Sequence, residues 1–584
     1  MRAATTALAL ALLVAGPAAG EPEPPRNAEP PVEAAPDFGR VEADATRLLD
    51  REARAVVALH FADGTGSGVV VSPEGLILTA AHVAGAAGRR AAVHFPDGRI
   101  AAAETLPSAD AEAAGDSDVG RVQILPGAAP VGGYPHVDLA AAAPAQPAPG
   151  DVVFALGHPG GFAADRPRVI RLGRVIRVTR FGIQTDTALL AGDSGGGLFA
   201  RDGRLLGCHA RIGSTLRSNY HTPLSAYVGL DGADAAPTGE ASTGTQLPRD
   251  RDRQGAWMLS GAAEAVAGVH PSVAAVQVDG LPVALATAAA PGGVLVTKAS
   301  ELALAPGGAA AVPVPRALSV RLPDGRVLPA VLLGRDAASD LAVLRVDAEL
   351  PPVRWAVDAP GAGRVVVAAG PTPHPVGVGL ISTPSRDIPS RARLGVVFAR
   401  LDRAAVLRAV REGGAADRAG LRPGDRVLSV AGTPTQRPID VPTELRRHLP
   451  GTTVAVRVRR GGSLGGGGAD AGDGRAGRDL TFNVALEAGP GGASDRAERM
   501  NETAGPMSVR RSGFRGVIEH DTVIRPRQCG GPLVALDGGV VGINIARAGR
   551  IRTLALPAST VRRVVADVLS GSDAGTIQAA VDRP

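Results

Sequence analysis

Short apolar runs, broken every few positions by glycine-containing turns, fill most of this 584-residue chain. Between about Val41 and Val228 they include SGVVVSPEGLILTAAHV, DVVFALG and RVIRLGRVIRVTR. These runs are rich in valine and isoleucine, which suit a pleated sheet. Few segments carry a long helical period, so the pattern predicts a mainly β chain. Asp231 to Gly255 is polar and reads as a linker, after which the pattern starts again. EGLILTAAHVAG (Glu74 to Gly85) aligns with GGVLVTKASELA (Gly292 to Ala303). GDSDVGRVQIL (Gly115 to Leu125) aligns with AASDLAVLRVD (Ala337 to Asp347). QTDTALLAGDSGGGLFARDGRLLGC (Gln184 to Cys208) aligns with EHDTVIRPRQCGGPLVALDGGVVGI (Glu519 to Ile543). One unit is thus present twice, and an insert splits the second copy. Within the insert, RPGDRV predicts a turn between a short helix and a strand. Val441 to Leu449 predicts a helix, and GGSLGGGGADAGDGRAGR a flexible hairpin tip.

Composition narrows the function classes. Hydrophobic residues make up 45% of the chain, enough to bury several cores. The net charge is +5, but Lys298 is the only lysine and no basic run is interleaved with aromatics. A nucleic-acid binder is not indicated. The start, MRAATTALALALLVAGPAAGEPEPP, has a basic residue, an apolar run from Ala7 to Ala15 and small residues at Ala18 and Gly20. That layout predicts a signal peptide and an exported protein, periplasmic or secreted, with no stable membrane span after cleavage. Cys208 and Cys529 stand at non-equivalent positions of the two copies and are expected to be free thiols.

The expected organisation is a signal peptide over 1–20, a flexible leader over 21–40, a first repeat unit over 41–229 and a linker over 230–260. The second unit is expected over 261–390 and 488–570, its insert over 391–487, and a tail over 571–584.

Peptide-bond hydrolysis by serine needs a nucleophile, a base to take its proton, an acid to orient the base and donors for the oxyanion. AGDSGG offers Ser194 as nucleophile. It also offers Gly192, whose backbone freedom lets the N–H groups of Gly192 and Ser194 form an oxyanion hole. LTAAHV offers His82 and SDVGRVQIL offers Asp118. Asp110 and Asp116 compete with Asp118. The repeat favours Asp118, because Ser117-Asp118-Val119 aligns with Ser339-Asp340-Leu341.

In the order His, Asp, Ser, these motifs resemble the trypsin-like serine proteases. GSGVVVSPEGLILTAAHV makes the resemblance closest to the HtrA (Deg) branch, over about Val41 to Val228. The resemblance implies two six-stranded antiparallel barrels per unit, with the triad between them. It implies a substrate pocket walled partly by Leu189 and Leu190, hence cleavage after small or medium aliphatic residues. One departure is Gly197, where the family usually carries proline.

In the second copy, Ser300 aligns with His82, Asp340 with Asp118, Arg527 with Gly192 and Cys529 with Ser194. A thiol near its ordinary pKa is mostly protonated without a base, and Ser300 cannot be one. Ser300, Asp340 and Cys529 therefore read as a degenerate site, with Lys298 as the rival activator of Cys529. RLGVVF, GGAADRAGLRPGDRVLSVAG and the helix before GTTVAVRVRR make the insert resemble a PDZ domain. By that resemblance Leu394, Gly395 and Val396 form the loop that receives a peptide C-terminal carboxylate.

The combined expectation is an exported HtrA-like serine endopeptidase acting on unfolded or misfolded polypeptide. Its partners would be polypeptide substrates and peptide C-termini, and a homo-oligomer stays open. No His/Cys/Asp cluster has ligand spacing, so no metal and no cofactor is expected. The rival expectation is a non-enzymatic peptide-binding scaffold built from two silent barrel pairs and a PDZ domain.

Overall fold

A computed structural model of the chain describes residues 35–107, 118–127, 130–139, 147–179, 182–228, 246–302, 317–399, 404–461, 477–488, 500–501 and 503–573. Asp110 and Asp116 fall outside these residues. Among them the strands close into four six-stranded barrels. The first barrel lies between Val56 and Ile124, the second between Val152 and Pro223. The third runs from Val273 to Val346, and the fourth is assembled from Val365–Ile388 and Phe514–Pro557. Strand order in the third repeats that of the first, and strand order in the fourth repeats that of the second. The chain is mainly β and carries the same double-barrel unit twice. No helix among the described residues is long and apolar enough to cross a membrane.

The insert enters the fourth barrel at a hairpin. In the second barrel the strands Val169–Thr179 and Gly182–Thr185 follow each other almost directly. Their counterparts Gly377–Ile388 and Phe514–His520 are separated by the whole insert. A hairpin tip is solvent-facing and its two ends are adjacent, so a folded domain can be spliced there without unpairing the strands. The insert holds its own core, including Leu394, Val427, Val441, Leu445, Val456 and Val484, under a four-stranded sheet. The helix expected over Val441 to Leu449 runs only over Asp440–Leu445. Pro450 disfavours a helical conformation at the residue before it.

Two boundary expectations need correction. The leader was expected to reach residue 40, but Asp37 caps a helix over Phe38–Asp50, its carboxylate accepting the Arg40 N–H at 3.0 Å. Phe38, Val41, Ala45, Leu48 and Leu49 form its buried stripe. The helix joins the two units. Asp44 pairs with Arg201 of the second barrel at 2.7 Å, and the Glu42 carboxylate accepts the Val365 N–H of the fourth at 2.8 Å. The stretch expected as a linker over 230–260 is packed structure from residue 246 on. Arg253 is 2% exposed and ties the units together. Its guanidinium meets Asp521 at 3.0 Å and donates to the Leu172 carbonyl at 2.8 Å, while its backbone N–H donates to Asp186 at 2.7 Å. A cation cannot be buried unless it is paired, and this set of acceptors exists only when both units are docked.

Asp186 and Asp521 are aligned residues of the two copies. Asp186 accepts the Arg174 N–H (2.6 Å), and Asp521 accepts the Leu380 and Leu172 N–H groups (2.7 and 2.8 Å). The matching strands Val169–Thr179 and Gly377–Ile388 therefore pack against each other in a near-symmetric interface. Replacing Arg253 by methionine leaves this interface without its cation. The expected loss is on the order of 3–5 kcal/mol, the cost of breaking a buried pair from one side. Urea unfolding followed by tryptophan fluorescence should show a lowered midpoint and a transition that splits as the units separate.

Candidate active site

In the first barrel the strands Leu76–Thr79 and Gly120–Ile124 pair so that Thr79 lies opposite Gly120. That register brings His82, in the short helix after one strand, to Asp118, just before the other. His82 Nδ1 lies 2.7 Å from Asp118 Oδ2, and the His82 backbone N–H donates to Oδ1 at 3.0 Å. Burial pushes the Asp118 carboxyl up, but the hydrogen bonds from His82 outweigh it and hold the group below the usual carboxylate range. An ionised carboxylate can only accept, so Nδ1 carries the proton and Nε2 is left as the basic nitrogen.

Ser194 faces this pair across a cleft of about 1080 Å³, which His82, Asp118, Gly192 and Ser194 all line. Its hydroxyl makes no hydrogen bond among the described residues. The turn before it is closed by the Asp193 N–H donating to the Leu190 carbonyl at 3.0 Å, with Gly192 at φ +96° in the third position. That is a type II turn, which requires glycine there. A Cβ on Gly192 would also lie 2.6 Å from Gly160 N and 2.8 Å from the His158 carbonyl oxygen. The backbone N–H groups of Gly192 and Ser194 have no partner among the described residues. Two free donors beside a nucleophile are what an oxyanion hole requires.

The residues that hold this turn lie outside the nucleophile motif. Ser67, in the first barrel, donates its N–H to the Ser194 carbonyl (2.8 Å) and its hydroxyl to the Gly192 carbonyl (2.7 Å). Asp193 is fully buried and paired through both oxygens with Arg171, at 2.6 and 2.9 Å. The signal was an arginine inside the apolar run RVIRLGRVI, since a buried charge implies a buried partner. Beneath the turn, His209 and His221 meet Nδ1 to Nδ1 at 2.9 Å. Burial holds His221 down to about 3, His209 well below its ordinary value and the nearby His158 down to about 4.

The cleft brings in residues that the nucleophile motif does not contain. The cleft is lined by Ala191, Ala210, Arg211 and Ile212, and by neither Leu189 nor Leu190. Leu189 is 1% exposed, its N–H reaching Asn219 Oδ1 at 3.4 Å, and Leu190 is partly exposed. Adjacency to the nucleophile in sequence does not decide which side chains reach the cleft. The strand edge from Ala210 to Ile212, distant in sequence, supplies the wall. Arg211 stacks 4.7 Å above the Tyr220 ring and places a cation there.

The aligned residues of the second copy have a different arrangement. The Ser300 N–H and hydroxyl bind the two Asp340 oxygens at 2.9 and 2.8 Å, in the positions the His82 backbone and ring take on Asp118. No imidazole is present in this pair. Lys298 Nζ donates to Glu301 at 3.0 Å and to the Arg510 carbonyl at 3.1 Å. Cys529 is fully buried, and that burial raises its thiol pKa although Lys298 opposes the shift. Its N–H donates to the Pro526 carbonyl at 2.9 Å in a 3₁₀ turn, so it is not free to form an oxyanion hole. The cleft is occupied by the chain's own return from the insert. The Ser508 N–H donates to the Arg547 carbonyl at 3.1 Å, and the Ser508 hydroxyl lies 3.6 Å from Cys529 Sγ.

In the insert, Leu394 is 1% exposed, Gly395 has φ +78°, and Val396 opens the strand Val396–Phe398. That strand pairs with Leu407–Val410 and has no second partner among the described residues. Neither the Leu394 nor the Gly395 N–H has an acceptor among the described residues.

Comparison with known proteins agrees with this geometry. Residues 66–207 match the trypsin-like peptidase domain family, and residues 392–465 match the PDZ domain family. The chain therefore carries a trypsin-like peptidase domain joined to a PDZ domain. It is 29% identical over 281 residues to the serine protease PepD of Mycobacterium tuberculosis, a match that spans 42% of this chain and 58% of that relative's length. A solved serine endoprotease from Yersinia pestis matches 76% of this chain and 97% of its own at 16% identity. Its TM-score of 0.27 is too low to speak for fold or function. In carrying both a trypsin-like peptidase domain and a PDZ domain the chain is similar to HtrA-like proteases, and it spans little more than half the length of PepD.

The buried histidines set a pH limit on the fold. Their folded pKa values lie below the ordinary value near 6.5, so the unfolded chain binds more protons as pH falls through that value. Stability is then complete above about pH 6.5 and is lost progressively towards about pH 3–4. The melting temperature should fall between pH 7 and pH 5. Calorimetry showing the same melting temperature at both would contradict neutral burial of His158, His221 and His520.

Proposed function

We propose that the chain is a serine endopeptidase acting on unfolded or misfolded polypeptide, with its working site between the first two barrels. The observation that carries this reading is a meeting of parts in one cleft: the His82–Asp118 pair, the Ser194 hydroxyl and the two partnerless N–H groups of Gly192 and Ser194. Ser194 Oγ attacks the scissile carbonyl carbon as its proton passes to His82 Nε2. The carbonyl oxygen becomes an oxyanion received by the two N–H groups. His82 then gives the proton to the leaving amine as the C–N bond breaks, and the acyl group stays on Ser194. A water molecule, deprotonated by His82, hydrolyses the ester and restores the hydroxyl. Asp118 holds the ring and stabilises its transient charge.

The second pair of barrels takes no part in this chemistry. Ser300 offers no base, the Cys529 N–H is already bonded, and the chain's own segment around Ser508 fills the cleft. The PDZ domain would receive substrate C-termini along the open edge of Val396–Phe398, with the carboxylate on the N–H groups near Leu394 and Gly395. The layout of residues 1–20 favours export, which suits a protease for damaged polypeptides outside the cytoplasm.

Digestion of reduced, unfolded casein tests the assignment. Ser194→Ala should abolish it, and His82→Ala should lower it by several orders of magnitude. Undiminished digestion by Ser194→Ala would refute the assignment. For the PDZ domain, peptides with free apolar C-termini should bind at least about tenfold tighter than the same peptides amidated, since amidation removes the charge the N–H donors receive. Equal affinities in a fluorescence titration would leave the domain as a spacer.

A further inference from the structure

The silent half of the chain reaches into the support of the working site. Arg550 lies in the turn between the strands Val540–Gly549 and Arg552–Pro557 of the fourth barrel. Its side chain is fully buried. Nη2 donates to the Thr215 carbonyl and, at 3.2 Å, to Asn219 Oδ1, both in the second barrel. Nη1 donates to Thr503 Oγ1 at 2.6 Å, and the backbone N–H to Asn501 Oδ1 at 2.9 Å. Those two acceptors belong to the segment returning from the insert. Burial lowers the guanidinium pKa only to about 10, so it keeps its charge at neutral pH. Among the described residues it pairs with no carboxylate, so these neutral oxygens are its whole compensation.

The two acceptors in the second barrel belong to the framework of the substrate wall. Asn219 pairs in register with Ile212, the last residue of the strand edge that lines the cleft. Its Oδ1 accepts the Leu189 N–H (3.4 Å), and its Nδ2 donates to the Leu216 carbonyl (2.8 Å). Asn219 thus joins the segment leading to the nucleophile turn with the loop that follows the wall. Thr215 lies in that loop. Arg550 holds the loop and Asn219 with a single nitrogen, from an element hundreds of residues away in sequence.

We propose that Arg550 is a positioning residue for substrate specificity, through which the catalytically silent barrels fix the wall that receives the side chain before the scissile bond. The silent half is then a permanent intramolecular support of the working site, and the first unit alone would have a looser pocket. This rests on the reading of Ser194 as a working nucleophile.

The test is made on the full chain with Arg550→Met and Arg550→Lys, against peptides that vary the residue before the scissile bond. Arg550→Met should raise KM for the best peptide of the series about tenfold, the loss expected of one charge-assisted hydrogen bond, and should flatten the preference among side chains. kcat should change far less. Arg550→Lys keeps the charge and one donor and should be intermediate. If Arg550→Met does not fold, Arg550→Lys carries the same test. Phosphonylation by a small alkyl phosphonofluoridate, in which Ser194 Oγ bonds to phosphorus and fluoride leaves, needs Ser194, His82 and the N–H pair but no wall. Its rate should match the wild type in both variants. Unchanged KM and preference would overturn the proposal. So would an equal loss of peptide cleavage and phosphonofluoridate reaction, which would make Arg550 a general stabiliser. A wild-type chain that neither cleaves peptides nor reacts at Ser194 would instead refute the protease reading.

Discussion

A charge buried in a protein interior must be matched by charge or by hydrogen bonds, and this chain meets that requirement across its subunit-like halves. Arg253 can be buried only where Asp521, the Leu172 carbonyl and Asp186 converge. That point exists only when the two double-barrel units are docked. The docking surfaces are equivalent strands of a repeated unit, so the interface is nearly self-complementary. Arg253 lies outside the repeat and breaks that symmetry. Once it is placed, the helix Phe38–Asp50 can span from the second barrel to the fourth, and Arg550 can reach the loop that follows the cleft wall.

The same requirement separates the two copies of the site. Asp193 is buried because Arg171 is there to meet it, and its second role is to accept the Leu190 N–H that starts the turn (2.8 Å). In the other copy Gln528 holds the aligned position and accepts the Arg525 N–H in the same way (2.7 Å). Arg174 and Leu380 each donate a backbone N–H to the aligned aspartate of their own copy, so Gly377 stands where Arg171 does. Both members of the ion pair are replaced by neutral residues together. Keeping one alone would leave a buried unpaired charge, which costs several kcal/mol. The turn then relaxes into the 3₁₀ form that uses the Cys529 N–H. Loss of the histidine and closure of the oxyanion turn are thus accompanied by loss of the ion pair beneath them.

In the second unit the cleft holds a segment of the chain itself. Ser508 bonds to the strand edge at Arg547, and Arg510 accepts from Lys298 and donates to the Ala337 and Ala338 carbonyls. The return segment of the PDZ insert is thereby fixed where a peptide would otherwise lie. Asn501 and Thr503 of the same segment bind Arg550. One stretch of chain connects the PDZ domain, the occupied cleft and the support of the open one.

Much of this was legible in the sequence, and for a physical reason. A strand, a glycine turn or a nucleophile motif is specified by neighbouring residues, so apolar alternation and LTAAHV, SDVGRV and AGDSGG could be read directly. The repeat, the PDZ-like insert and the exchange of His82 for Ser300 followed from aligning such local patterns. What tertiary structure decided was every partnership of buried polar groups. Arg171 with Asp193, Ser67 with the nucleophile turn, Arg253 between the units and Arg550 behind the wall all join residues far apart in sequence. The Leu172–Asp521 bond spans 349 positions. No local period encodes such a pair, because either residue alone reads as an ordinary polar position. For the same reason the sequence offered Leu189 and Leu190 as wall residues but not Ala210 to Ile212, which only the packed barrel brings to the cleft.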